Sequence, residues 1–227
     1  MKNYADTDAY RTHLKQFDAV FSQAYLVKKD TIQLTKQLTL YIEHFERRDC
    51  NQLTACQVVC LKDKHAGTIL TYKNIGYLFH QYIQHSNGNT YFIAGSALYD
   101  YILFDIRERT MRRYVGAQVL QGVCSGEATP NLYWYLENLV YNPVSNLIAI
   151  NGSDIVNCSR IAVFDFSNTQ LFPFVFYSLS DLIFQYDEGE NHTAIGWTPD
   201  NCLEVQVAEE MCNTLYLTEK EIRNQMN

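Results

Sequence analysis

Cysteine, histidine and carboxylate side chains are the groups from which reactive and metal-binding sites are most readily built, and this sequence clusters them in three places. Cys50, Cys56, Cys60 and His65 lie close together, but their spacing does not match the two-residue knuckles of structural zinc sites. If residues 53–61 form a strand, Cys56 and Cys60 share a face about 13 Å apart at roughly 3.3 Å per residue, too far for one ion. Buried thiols are the expectation. Asp187, Glu188, Glu190 and His192 form an acidic loop that offers carboxylate oxygens to a divalent cation. It lacks the alternating ligands of an EF-hand, and a solvated loop is expected. Gly122-Val123-Cys124-Ser125-Gly126 superficially resembles a nucleophile elbow, without the strand and helix that must flank one. Neither a phosphate-binding loop nor a dinucleotide fingerprint is present. The sequence therefore assigns no catalytic residue, no cofactor and no metal ligand.

Two further groups concern partners rather than reactions. Arg107, Arg109, Arg112 and Arg113 make a short basic segment, expected as exposed strand residues whose charges discourage unwanted edge pairing. Tyr133-Trp134-Tyr135, with Glu137 nearby, is the candidate partner-binding site. Three consecutive aromatics on a strand cannot all face inward, because side chains alternate, and aromatic anchors dominate binding hot spots.

The elements that position these groups are mostly strands. Residues 8–27 read as one amphipathic helix, with Leu14, Phe17, Val20, Phe21, Ala24 and Tyr25 at helical spacing and Asp6 or Thr7 as its cap. It is expected to pack on its own domain. Residues 31–48 fit strand and helix equally. From Leu53 onward the pattern is β: 53–61 and 68–72 make one hairpin, and 77–83 and 90–94 flank Asn87-Gly88, a strong hairpin turn signal. Strands at 99–106 and 111–115 follow around a turn at 107–109. Thr218-Glu219-Lys220-Glu221 has capping-box spacing, so a short terminal helix is expected from 219.

Composition limits the class of protein. The 227 residues are 47% hydrophobic and 14% aromatic, which suits a folded chain rather than a disordered one. Formal net charge is −7, which argues against a nucleic-acid binder held by phosphate contacts. The charge is uneven: residues 1–113 hold 15 Lys/Arg and 11 Asp/Glu, whereas 114–227 hold 3 and 14. An acidic half suits a basic partner, and it also keeps a protein soluble. The first residues lack the charged and apolar regions of a secretory signal, and the longest apolar run, 171–184, is interrupted by Pro173, Ser178, Ser180 and Asp181. Seven cysteines, an odd number, fit reduced thiols in a cytoplasm better than a disulfide framework. No membrane contact is expected.

A layout recurs along the chain. Residues 139–150 repeat the strand, polar turn and strand of residues 82–93, with Asn89 and Asn146 each before the inner strand. Tyr101–Ile106 is echoed by Ile161–Phe166, with Phe-Asp in the same place, and Pro199 follows Pro143 in a third copy. Short strands repeated at such a period point to propeller blades. The segments Gln84-His85-Ser86-Asn87-Gly88, Leu98-Tyr99-Asp100-Tyr101, Val140-Tyr141-Asn142-Pro143, Asn146–Ile150 and Phe164–Asn168 resemble a group of uncharacterised bacterial proteins with WD40-like β-propeller blade repeats. The resemblance implies a mainly β, antiparallel meander fold of propeller-like blades, complete or incomplete. The expected organisation is an N-terminal helix in residues 1–30 packed on a β-blade repeat domain in 31–227.

The expected function is that of a cytoplasmic protein-interaction module without catalysis, an inhibitory or immunity-type binder of a basic partner by analogy. The alternative is a hydrolase or carbohydrate-active enzyme with its site at the mouth of the blades. A third role is a structural subunit that completes its ring as a homo-oligomer.

Overall fold

The computed structural model describes residues 2–49, 52–97, 99–121, 135–153, 159–189, 191–207 and 213–226. The protein is mainly β and its strands pair antiparallel wherever their register is defined. The chain divides into two compact units: Met1–Tyr82 with Thr90–Ser125, and Ile83–Asn89 with Gly126–Asn227. The charge division follows the same line. Unit 1 carries 15 basic and 11 acidic residues, unit 2 only 3 and 14.

Unit 1 opens with α1 (Asp8–Lys15), whose start is capped by Thr7: its Oγ1 accepts the Tyr10 amide at 3.3 Å. The single helix expected over 8–27 is not formed. Two 3-10 turns, Asp18–Phe21 and Gln23–Tyr25, follow α1, separated by an extended Ser22 whose Oγ accepts the Ala24 amide. The apolar residues still reach a core, in which Phe17, Val20 and Phe21 pack with Phe45 and Cys56.

The ambiguous segment 31–48 resolves as two strands, β1 (Leu26–Gln33) and β2 (Leu38–Asp49). Alternation decides it: Leu38, Leu40 and Ile42 are buried on one face, while Tyr41 and Phe45 lie on the other. β3 (Gln52–Asp63) and β4 (Gly67–Ile75) form the expected hairpin, closed by the Asp63 carboxylate accepting both the His65 and Ala66 amides at 2.8 Å. The sheet order is β1-β2-β3-β4. Its inner face, with Leu40, Val59, Leu61 and Tyr72, packs on Phe92, Ala94, Ile102 and Phe104.

Those last residues belong to the next meander. β5 (Phe79–Gln84) pairs with β6 (Thr90–Ala97), followed by β7 (Asp100–Asp105), β8 (Thr110–Val115) and a short α2 (Ala117–Gln121). The hairpin at Asn87-Gly88 forms, but only Gly88 takes positive φ (+83°), and the Gly88 amide closes the turn on the His85 carbonyl. At the far end of β6 a bulge between Gly95 and Ala97 brings β7 so close that a Cβ on Gly95 would lie 2.3 Å from the Asp100 carbonyl oxygen.

Unit 2 repeats the plan. β9 (Tyr135–Tyr141), β10 (Leu147–Ser153), β11 (Ser159–Asp165) and β12 (Tyr177–Ser178) form an antiparallel meander, followed by α3 (Ser180–Phe184). β13 (His192–Trp197), β14 (Cys202–Val207) and β15 (Thr214–Thr218) make a second sheet, and α4 (Glu219–Gln225) closes the chain with the expected capping box between Thr218 and Glu221. The two sheets and both helices enclose one core of Leu147, Ile161, Val163, Leu182, Leu203, Leu217 and Ile222. On the opposite face of β11, Phe164 stacks on Phe174 with ring centroids 4.4 Å apart.

The two meanders share a backbone landmark that is offset by one residue from the match read in the sequence. The Ile106 amide donates to the Thr90 carbonyl as the Phe166 amide donates to that of Asn146, so Asn146 corresponds to Thr90 rather than Asn89. Asp105 and Asp165 each end the third strand of their meander, and each carboxylate accepts a backbone amide of the following turn. Among the described residues no closed barrel or ring of blades is formed.

Candidate functional site

The turns that repeat along unit 2 converge at one end of it. Between β9 and β10, buried Asn142 accepts the Val144 and Ser145 amides through its side-chain oxygen. Between β13 and β14, Thr198 closes the matching turn by accepting the Cys202 amide at 3.1 Å. Each turn ends on an asparagine at positive φ, +57° at Asn146 and +66° at Asn201, a conformation asparagine tolerates better than most residues. The Asn142 amide donates to Asn201, and the Asn201 amide donates to Glu219 of α4. Glu219 in turn accepts from Arg223 Nε at 2.6 Å, and Arg223 reaches Asp165 at 3.2 Å and the Ser145 carbonyl at 3.1 Å.

This network floors a shallow cleft of 540 Å³ lined by Asp200, Asn201, Cys202, Thr218, Glu219, Lys220, Arg223 and Asn224. Burial raises the Asp165 carboxyl, but hydrogen bonds from Ser167 and Arg223 outweigh it and hold the group below its ordinary value. Burial likewise works against the Arg223 charge and is outweighed by Glu219 and Asp165. The arrangement is an array of amide, carboxylate and guanidinium groups bonded to one another, which ties the turns of unit 2 to α4.

Large apolar side chains stand exposed on the same unit: Phe184, Tyr186, Ile195 and Tyr216. Two of the aromatics have a carboxylate beside them. The Tyr186 hydroxyl donates to Glu221 Oε1 at 2.5 Å, and Tyr216 is the cross-strand neighbour of Glu204. An aromatic face next to a carboxylate can take an arginine or lysine side chain, through the ring and the charge together.

A second constellation lies in unit 1, inside the core. Asp100, Ile102 and Phe104 share one face of β7, and the register places Arg113 of β8 opposite Ile102 on that face. The Arg113 guanidinium sits 4.6 Å from the Tyr72 ring centroid and 5.3 Å from that of Tyr10. Its Nη2 donates to the Lys73 carbonyl at 2.9 Å, and its Nε lies 3.8 Å from Asp100 Oδ1. Tyr72, Asn74 and Gln57 extend the cluster by hydrogen bonds of 3.1 and 2.8 Å. Burial pushes the Asp100 carboxyl up to about 6, although Arg113 pulls the other way. Burial also raises the hydroxyls of Tyr10 and Tyr72, with Asp100 adding to the effect. The Arg113 charge persists because Tyr72 and Asp100 outweigh its own burial.

The residues singled out from sequence are distributed as follows. Tyr133 and Trp134 lie outside the described residues, Tyr135 begins β9, and Glu137 is exposed on β9. Cys50, Cys124 and the 122–126 segment also lie outside them, as does Glu190. Cys56, Cys60 and Cys202 are free thiols, Cys56 buried as expected. Among the described residues no group of His, Cys, Asp and Glu could hold a metal ion. The acidic loop closes on itself, with buried His192 bonded to Asp187 at 2.7 Å. The reading of Arg107–Arg113 as exposed strand charges needs correction at Arg113, whose side chain is only 17% accessible. Its two-residue spacing from buried Val115 was the available signal, since both must share a face of β8.

Comparison of the chain with protein-family models, with curated proteins and with solved structures found no match. No helix is long and apolar enough to cross a membrane among the described residues. The functional reading therefore rests on the residues and their geometry.

Proposed function

We propose that this protein is a non-catalytic protein-interaction module of the cytoplasm, and that its acidic unit holds a basic partner. The observation that carries the reading is the coincidence of charge and shape. One compact unit concentrates 14 acidic against 3 basic residues and exposes Phe184, Tyr186, Ile195 and Tyr216. Unlike charges steer a partner toward the unit, and exposed aromatics supply the buried anchors from which affinity comes. Trp134, Tyr133, Tyr135 and Glu137, read from the sequence as aromatics near a carboxylate, offer the same recognition chemistry. The repeated meanders and their matching turns support the reading of these sheets as propeller-type blades.

The test is affinity capture from cells that make the protein, at low and at high ionic strength, with wild type and the variants Trp134→Ala, Tyr186→Ala and Tyr216→Ala. A basic protein retained by wild type, released by salt and lost in at least one aromatic variant of intact fold is the expected result. Capture indifferent both to salt and to all three substitutions refutes the proposal.

A further inference from the structure

The free edge of β8 is covered by the chain's own beginning. Asn3 uses its side-chain amide as a strand uses a peptide group: Oδ1 accepts the Val115 amide at 3.0 Å and Nδ2 donates to the Arg113 carbonyl at 2.7 Å. The Tyr4 amide then donates to the Val115 carbonyl at 2.9 Å. Thr7 turns the chain into α1, and Tyr10, only 1% accessible, drops into the core beside Arg113 and Asp100. Residues 3–10 are thus attached at two points, the β8 edge and the buried cluster.

The second point is imperfectly satisfied. Tyr10 Oη, Asp100 Oδ1 and Arg113 Nε are all buried without a hydrogen-bond partner among the described residues, and Asp100 meets Arg113 only at 3.8 Å. A carboxylate taken from water needs better compensation than that, so closure works against its ionised form.

We propose that residues 3–10 are a strap over the edge of β8, and that the Asp100–Arg113–Tyr10 cluster is a latch which loosens the strap as the pH rises. Detachment exposes Asp100 and Arg113 to water and uncovers the Arg113 carbonyl and the Val115 amide, the groups an added strand would pair with. The buried carboxyl has its affinity for protons raised, from an ordinary value of 3.8 to about 6. The closed form therefore binds a proton that the open form releases. Closure is favoured below about pH 4, weakens by up to tenfold per unit as pH rises to about 6, and levels off above, roughly a hundredfold in all. The groups facing the carboxyl are Arg113 from β8, Tyr72 from β4 and Tyr10 from α1; the two hydroxyls titrate far above this range. His13, which stacks on Tyr10 at 6.3 Å, is held below its ordinary value by burial, so its charging at low pH acts in the opposite sense.

The experiment is amide hydrogen exchange of the whole protein between about pH 4 and pH 7, read at Tyr4 and Val115 and corrected for intrinsic rates, with Val205 and Leu215 as references in unit 2. Protection at Tyr4 and Val115 should fall by roughly a hundredfold across that range, against the references. Asp100→Asn should flatten the profile, and His13→Gln should leave the fall in place. Flat wild-type protection, or a fall that survives Asp100→Asn, overturns the proposal. Should that variant not fold, carboxyl NMR of wild type decides: an Asp100 midpoint in the ordinary carboxylate range overturns it, and one near 6 that tracks the exchange supports it.

Discussion

Replacing Gly95 by Ala should damage the protein more than any other glycine-to-alanine change whose surroundings are described. The added methyl would stand 2.3 Å from the Asp100 carbonyl oxygen, 2.7 Å from Tyr101 Cα and 2.8 Å from Tyr101 Cβ. Ordinary contact begins near 3.4 Å, so β6 and β7 must separate by about 1 Å where they approach most closely. Two of the three atoms are backbone, and β7 is held on both sides by the β6 and β8 ladders. No side chain can swing away to make room. Overpacking of this kind costs about 1–3 kcal/mol, and a rigid backbone neighbour places this case at the upper end. Alanine recovers about 0.4–1 kcal/mol by restricting the unfolded chain, which leaves a loss of roughly 2–3 kcal/mol. For a chain of this size that lowers the unfolding midpoint by roughly 4–12 °C. Thermal and urea unfolding followed by circular dichroism measure it. Gly67→Ala and Gly88→Ala are the comparison, since both have positive φ and nothing within 4 Å of the added carbon. They should lose only the backbone term of about 1–2 kcal/mol. A Gly95→Ala protein that unfolds within about a degree of wild type, or above the Gly88→Ala protein, refutes the reasoning.

Two more outcomes follow from the buried groups. Arg113→Ala strands the Asp100 carboxylate in the core and should cost about 3–5 kcal/mol in urea unfolding at pH 8. The penalty should shrink toward pH 5, where the carboxyl is neutral, and Asp100→Asn in the same chain should recover part of the loss; a pH-independent penalty contradicts the assignment. Burial pushes the Cys56 thiol up to about 11, so a thiol reagent at pH 8 should label half-buried Cys60 and Cys202 before Cys56; mass mapping that finds Cys56 modified ahead of both counts against its buried position.

Much of the architecture was readable in the chain because short-range chemistry dictates it. The Asn87-Gly88 turn needs one residue at positive φ, which Gly88 supplies, and Thr218 with Glu221 can satisfy each other's backbone amides without help from elsewhere. The 8–27 stripe was legible as a buried face but not as a set of turns. Helical and 3-10 spacing nearly coincide over so few residues, and the outcome hinges on Ser22 closing its own turn. Segment 31–48 remained open because Leu34, Leu38, Tyr41 and Phe45 fall at helical spacing, while Leu38 also suits one face of a strand and Tyr41 and Phe45 the other. The polar network at the end of unit 2 was half visible. Pro143, Pro199, Asn146 and Asp165 stood out as repeat landmarks, whereas their link to Glu219 and Arg223 depends on where α4 docks. Arg113 was hidden by its neighbours, since a run of arginines reads as surface while alternation sends one of them inward.

Partition of charge between the two units bears on how copies of the protein treat one another. The sequence isoelectric point is near 5.3, where the positive and negative charges cancel only as a sum. At that pH unit 1 remains cationic and unit 2 anionic, because their surpluses have opposite sign. Neighbouring molecules then attract, acidic unit to basic unit, an association that grows with concentration. Turbidity near pH 5 should therefore clear on addition of salt, as in a polyampholyte whose chains are joined by charge, whereas precipitation driven by apolar surface would deepen.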